Sequence, residues 1–428
     1  MHDRTEKKSI ENGLLSLPWE MVFLIFDNMP LSSVINLRGV SNGLKDIVEK
    51  YLELELKIKQ LACGQNHTLV LLAKGRVLAT GSNKHGQLGV PGGDCFSFTE
   101  LTGIDRIEAI GAGFSHSLLL SKEKKKVWIM GDNSKGQLTL TTEATTEIKS
   151  DNPEEAQTET ENTSKPVMLQ EVADLKKIKA ITTVDFTTAV LTDAGEVKTA
   201  GKDSLKPRLI NNQLRLLPDW ITLPEDLDII DVSFGMSHAL LLTAEGVVYG
   251  KGSNELGLLG LANIESCPDW TKLCDYKVSK IKATSLGSLL LTADHKLMVS
   301  GINSSKQFGN LEELIPGFEE IAASVTDFDA NDSHTIYLDA SHRLYGMGSN
   351  DLGQLGTGKP RAQGTSVPAP VIPVKQLTVS QFRTPKMNPQ AFFQFESQSN
   401  SIAAVGWKAI KDMDENWDRE PSHCKSFP

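Results

Sequence analysis

Gly64-Gln65-Asn66-His67-Thr68-Leu69-Val70-Leu71-Leu72, followed after Gly75 and Val77 by Gly81-Ser82-Asn83-Lys84-His85-Gly86-Gln87-Leu88-Gly89, is the stretch on which the reading of the fold turns. It recurs. Gly113 to Leu120 leads into Gly131-Asp132-Asn133-Ser134-Lys135-Gly136-Gln137-Leu138, Gly235 to Leu242 into Gly252-Ser253-Asn254-Glu255-Leu256-Gly257, and Ser333 to Leu338 into Gly348 to Gly356. With Thr187 and Gly287 holding the His place in two degenerate copies, positions 67, 116, 187, 238, 287 and 334 stand 49, 71, 51, 49 and 47 residues apart. A period near 50 residues, built of apolar runs and glycine turns, fits a four-stranded propeller blade. A weaker unit opens at Val374 to Leu377 and resumes at Ala391 to Gly406, which brings the expected count to seven blades. Leu52, Leu54, Leu56 and Ile58 alternate with charged residues, so a half-buried strand is expected at 52–58. Its expected role is to pair with the last unit and close the ring, leaving no open sheet edge.

The long interval comes from residues 141–165, rich in Thr, Glu, Asn and Gln, which bury too little apolar surface to order themselves and read as a disordered insert on the rim. Residues 14–51 have a different period. Pro18 opens a helix, with Glu20 in its first turn against the dipole, and Met21, Leu24, Ile25 and Met29 recur at helical steps up to Pro30. Val34 and Leu37 suggest a short second helix, and Val40, Leu44, Ile47, Val48 and Tyr51 a third. The expected organisation is a tail at 1–13, a helical module at 14–51, a propeller at 52–407 and a polar tail at 408–428. The fold class is mainly β, a seven-bladed propeller preceded by three small helices.

Within the helical module, Leu17, Pro18, Glu20, Ile25, Phe26, Pro30, Leu37 and Val40 resemble the F-box, with Met29 where Leu is usual and Leu44 near the usual aromatic. The resemblance implies that these residues dock on a Skp-type adaptor and so on a cullin ubiquitin ligase. The bland alternative is a helical cap over one end of the repeat array. The His-[Ser/Thr]-Leu strand with its Gly-x-Asn-x-x-Gly-Gln-Leu-Gly turn resembles the repeat of the regulator of chromosome condensation family. That resemblance implies a seven-bladed propeller, and some members activate the small GTPase Ran. The combination of the two modules also resembles effectors that intracellular bacteria inject into host cells.

Composition narrows the function classes. The 428 residues are 39% hydrophobic and 23% charged and carry a net charge of -10, which disfavours a nucleic-acid surface and favours protein partners. No apolar run of about 18 residues could span a bilayer, and Met1 to Lys8 are polar, so a cytoplasmic protein without a secretory leader or transmembrane segment is expected. The five cysteines form no Cys-x-x-Cys pair, which points to reduced thiols.

Candidate chemistry is sparse. His67, His116, His238 and His334 occupy one slot in successive blades, so they are dispersed around a ring and expected to tie strands within a blade by hydrogen bonds, with no metal site. No phosphate-binding Gly-x-x-x-x-Gly-Lys-[Ser/Thr] loop, Gly-x-Ser-x-Gly elbow or His-Glu-x-x-His helix occurs, so neither a cofactor nor independent catalysis is expected. Lys122, Lys124, Lys125 and Lys126 read as a solvated hairpin tip. Trp220 and Trp270 lie beside the degenerate units, where they mark a partner footprint on the propeller face or, alternatively, fill the core. The function that follows is an adaptor linking a Skp-cullin ubiquitin ligase to a protein substrate on the propeller. The alternative is a regulator of Ran or a related small GTPase.

Overall fold

The computed structural model describes residues 14, 17–37, 42–123, 126–138, 167–172, 177–201, 205–358 and 361–370. The chain divides into two units, one containing residues 1–52 and 384–428 and the other residues 53–383.

In the first unit, α1 (Trp19–Asp27), α2 (Leu31–Asn36) and the start of α3 (Asn42–Glu55) follow in order. Pro18 and Pro30 sit immediately before α1 and α2, where a missing N–H costs no helical hydrogen bond. The buried stripe of α1 is Val22, Phe23 and Phe26, continued by Met29 just past its end. Phe23 and Phe26 each meet Tyr51 of α3 edge-on, with ring centroids 5.2 Å apart, and the Tyr51 hydroxyl donates to Asp27 at 2.9 Å. The strand expected at 52–58 is not there. Leu52 and Leu56 are four residues apart and both buried, which continues the helical stripe of Leu44 and Val48 and carries α3 to Glu55. Alternation of Leu and Glu over a few residues fits both periods, and here the three preceding turns of helix decide between them.

The second unit is a β-propeller. Four-stranded antiparallel sheets are made by β1 (Ile58–Cys63), β2 (His67–Leu72), β3 (Val77–Gly81) and β4 (Cys95–Glu100), and by β5 (Ile107–Ala112), β6 (His116–Ser121), β7 (Val127–Gly131) and β8 (Val167–Glu171). The third blade is split into a three-stranded sheet, β9 (Ile178–Val184), β10 (Thr187–Thr192) and β11 (Val197–Gly201), and a hairpin, β12 (Leu205–Ile210) with β13 (Gln213–Pro218). The fourth blade has β14 (Ile229–Phe234), β15 (His238–Thr243), β16 (Val248–Ser253) and β17 (Ser266–Lys272), and the fifth β18 (Val278–Ala283), β19 (Gly287–Thr292), β20 (Leu297–Ile302) and β21 (Leu314–Ala322). The sixth has β22 (Val325–Ala330), β23 (His334–Asp339), β24 (Leu344–Asn350) and β25 (Arg361–Pro370).

Every second strand begins at the aligned His slot. In five of the six blades that strand is buried throughout, so it reads as an apolar run without alternation, as expected for a strand covered on both faces. The slot pairs with the glycine ending the third strand, as in His67 with Gly81. That glycine has φ 109°, and a Cβ there would lie 2.4 Å from the Asn66 carbonyl oxygen, so only glycine fits. The following Asn braces the loop: the Asn83 Oδ1 accepts from Leu88 N at 3.0 Å, and Asn133, Asn254, Asn303 and Asn350 repeat the bond. The third blade has Asp203 in place of Asn at this point of the repeat.

The described residues form six blades, which corrects the expectation of seven. The first and sixth are direct neighbours: Cys63 N donates to Asp329 Oδ2 at 2.8 Å, Thr80 Oγ1 donates to the Gly353 carbonyl at 2.8 Å, and Ser97 bridges Thr357. The place where a seventh blade would close the ring is therefore taken. The β12–β13 hairpin packs between the third sheet and β14, burying Leu214 and Leu216 against Ala189 and Leu191. Residues 374–377, 391–406 and the insert 141–165 lie outside the described residues, as does the clasp strand's expected partner.

Candidate interaction surfaces

Among the described residues, the packing of α1 leaves its other side exposed. Trp19, Met21 and Leu24 are exposed, Leu24 at 62%, and beside them Pro18 is exposed while Leu17 and Ile25 are half-buried. Of the residues singled out for adaptor docking, Leu17, Pro18 and Ile25 therefore lie with the accessible stripe. Phe26 and Leu37 belong to the core, Pro30 is half-buried before α2, Glu20 lies in the first turn of α1, and Val40 lies outside the described residues. Lys50 stands 4.7 Å from the Trp19 ring centroid. An apolar stripe turned outward on a helix whose other stripe already makes a core is suited to a protein partner.

The four histidines are fully buried, and each reaches into the next blade rather than across its own. His67 Nε2 lies 2.9 Å from Ser117 Oγ, His116 Nε2 3.0 Å from Thr188 Oγ1, His238 Nε2 3.0 Å from Ser288 Oγ, and His334 Nε2 2.9 Å from Thr68 Oγ1. The last of these joins blade six to blade one. Ser117, Ser288 and Thr68 spend their own protons on the carbonyls of Gln87, Leu258 and Gln354, so in these three pairs the imidazole must be the donor, neutral and protonated on Nε2. Burial keeps the rings neutral, pushing His67 down to about 3 and His116, His238 and His334 down to about 4. They are structural buckles between blades, which corrects the expectation of bonds within a blade.

The first strands of the blades make an inner ring with its own charges. Gln60 on β1 exchanges two hydrogen bonds with Ile110 on β5, and Ser233 Oγ on β14 accepts from Ala283 N on β18. Between blades five and six, Lys280 pairs with Asp327 at 2.5 Å and Lys282 with Asp329 at 2.8 Å. Burial alone would push the Asp329 carboxyl up, but Lys282 and Lys280 outweigh it and hold it below the usual range. Burial would likewise lower Lys282, and Asp329 raises it. Both partners thus stay charged.

Trp220 and Trp270 do not share an environment. Trp220 is exposed after β13, whereas Trp270 on β17 is partly buried beside Leu217 and Val232 and donates its indole N–H to the Thr222 carbonyl at 2.8 Å. Trp270 thereby ties β17 to the segment that precedes β14.

Comparison with known proteins gives the architecture a family context. The family model of the F-box domain matches residues 14–53, and that of the regulator of chromosome condensation (RCC1) repeat matches residues 58–87, 107–137 and 325–354. This chain carries an F-box domain and RCC1 repeats. Among similar proteins, the probable E3 ubiquitin-protein ligase HERC6 of Homo sapiens is 30% identical over 69% of this chain and 29% of its own length. The X-linked retinitis pigmentosa GTPase regulator homolog of Caenorhabditis elegans is 28% identical over 52% of this chain and 18% of its own. The chain thus spans less than a third of either relative. The structure of human WBSCR16 aligns with TM-score 0.43 at 22% identity, over 74% of this chain and 82% of that one. The three RCC1 matches are the first, second and sixth blades, those in which the His slot is followed by the full Gly-x-Asn-x-x-Gly-Gln-Leu turn; the fourth blade has Leu258 in place of the Gln.

Proposed function

We propose that the protein is an F-box adaptor: α1 docks on a Skp-type subunit of a cullin ubiquitin ligase in the cytosol, and the propeller holds the protein to be modified. The observation that carries this reading is the outward apolar stripe of Trp19, Met21 and Leu24 on an F-box helix. Chemistry then belongs to the ligase partners. Removing two large apolar contacts from such an interface costs about 3 to 6 kcal/mol, at about 1.5 to 3 for each side chain. Capture of purified Skp-type adaptor by the full chain is expected, and its loss in the Met21→Asp, Leu24→Asp double variant with an unchanged melting curve. Wild-type capture by that folded variant would refute the docking surface.

The second reading, regulation of Ran or a related GTPase through the propeller, draws on the RCC1 repeats and on the relative named as a GTPase regulator. It is separated from the first by nucleotide-release kinetics of purified Ran with and without the chain. Acceleration supports it, and an unchanged rate at saturating protein rejects the exchange role.

A further inference from the structure

We infer that the His-slot edge of blades four and five is a docking surface for a basic segment of a partner protein that inserts apolar side chains. The inference rests on the adaptor reading above and names the chemistry of what the propeller would hold.

Strand direction places the relevant loops together. His238 pairs with Gly252, so the β14–β15 turn and the β16–β17 loop emerge at the same edge, and Ser253 N donates to the Ser237 carbonyl at 2.9 Å. Asn254 then folds the β16–β17 loop back on itself, its backbone N–H bonding the Glu265 carbonyl at 2.7 Å and its side chain the Leu261 and Ile264 carbonyls. That loop is seated on the fifth blade, where a Cβ on Gly257 would lie 2.7 Å from the Ile315 carbonyl oxygen.

The shared edge exposes four large apolar side chains: Met236 at 81%, with Leu256, Ile264 and Leu314 each close to half exposed. Their placement is not scattered. Three stand next to carboxylates in sequence, as Glu255-Leu256, Ile264-Glu265 and Glu312-Glu313-Leu314, and all four glutamates are exposed. In these loops the cation Lys306 is turned back on its own chain, donating to the Leu311 carbonyl at 3.2 Å. Apolar anchors ringed by one sign of charge select a partner of the opposite sign. The apolar groups supply affinity, and Met adapts to the shape it meets, while the carboxylates steer a cationic chain and repel an acidic one.

Three short fluorescent peptides of equal Leu and Phe content, with their remaining positions Lys/Arg, Ser/Gln or Asp/Glu, are titrated into the full chain. The basic peptide is expected to bind at least about tenfold tighter than the neutral one and to weaken as salt is raised, with the acidic peptide weakest. Met236→Asp with Leu256→Asp should abolish binding at an unchanged melting temperature, and Glu255→Lys with Glu313→Lys should reverse the order of the basic and acidic peptides. Equal binding of the basic and neutral peptides, or wild-type binding by the Met236→Asp, Leu256→Asp variant, overturns the inference. Adaptor capture is measured on the same samples. Its absence alongside the expected peptide order would remove the adaptor reading and leave this surface standing.

Discussion

The interface between blades one and two and that between blades five and six do the same job with different chemistry. In the first, neutral His67 donates to Ser117, whose hydroxyl donates in turn to the Gln87 carbonyl at 2.8 Å. In the second, Gly287 stands in the His slot and the Thr335 hydroxyl is buried without a partner. A Cβ on Gly287 would lie 3.0 Å from the Phe308 ring, so the phenyl group that replaces the usual Leu fills the place of the imidazole. What the interface loses in hydrogen bonding is offset by Lys280–Asp327, Lys282–Asp329 and the bond from Ser285 N to Asp332 at 2.7 Å. A degenerate repeat is therefore a repacked one. The third-to-fourth interface shows another solution, because Thr187 replaces His and Ala239 replaces the hydroxyl residue, so both halves of the His–hydroxyl pair are absent there.

The two chemistries should separate on acidification. A buried imidazole whose folded pKa is depressed stabilises the fold fully above the unfolded value near 6.5, and that contribution is lost as pH falls towards about 4. Each histidine adds at most about 1.4 kcal/mol per pH unit in that window, and four act together. Urea midpoints measured from pH 7.5 to 4 should fall steeply below 6.5, and less steeply in His238→Gln. A stability that is flat across the window would mean that the rings are not buried neutral. The Asp329 carboxyl is held low instead, so its contribution is present above the unfolded value near 3.9 and lost only in more acid solution.

The blade period, the His slot and the obligatory glycine were legible in the sequence because each is fixed within one repeat. Blade number was not, since closure rests on contacts between residues far apart in sequence, here Cys63 with Asp329 and Thr68 with His334. The direction of the histidine bond was hidden for the same reason: Ser117 follows its own blade's His116, and nothing local tells that it serves His67. In the helical module, the face of α1 was ambiguous because Met21, Leu24, Phe23 and Phe26 make two apolar stripes on one helix. The exposed Met236 occupies a turn position where no periodicity operates, so only the structure shows it.

Substitution at the charged interface should have the next largest effect. Asp329 accepts from Cys63 N and pairs with Lys282, so it holds blades one, five and six, and Asp329→Ala should cost about 3 kcal/mol. That is the low end for breaking a buried pair, because about a third of the Lys282 side chain reaches solvent. A loss under about 0.5 kcal/mol by denaturant titration would show that solvent already screens the pair. Smaller still is the contrast between two threonines in the same slot of successive blades. Thr68→Val leaves the buried His334 N–H without an acceptor and should cost about 1 to 3 kcal/mol, whereas Thr335→Val removes an orphaned hydroxyl and should be neutral or slightly stabilising. Equal losses would erase the distinction between buckled and repacked interfaces.

Among the contacts that close the ring between blades six and one is that of His334 with Thr68, far apart in sequence, and a double-mutant cycle between them tests it directly. With His334→Ala, Thr68→Val and the pair measured by urea unfolding, direct contact at 2.9 Å predicts a coupling of about 1 kcal/mol or more. A coupling within error of zero would contradict the direct contact between blades six and one on which the six-bladed ring rests.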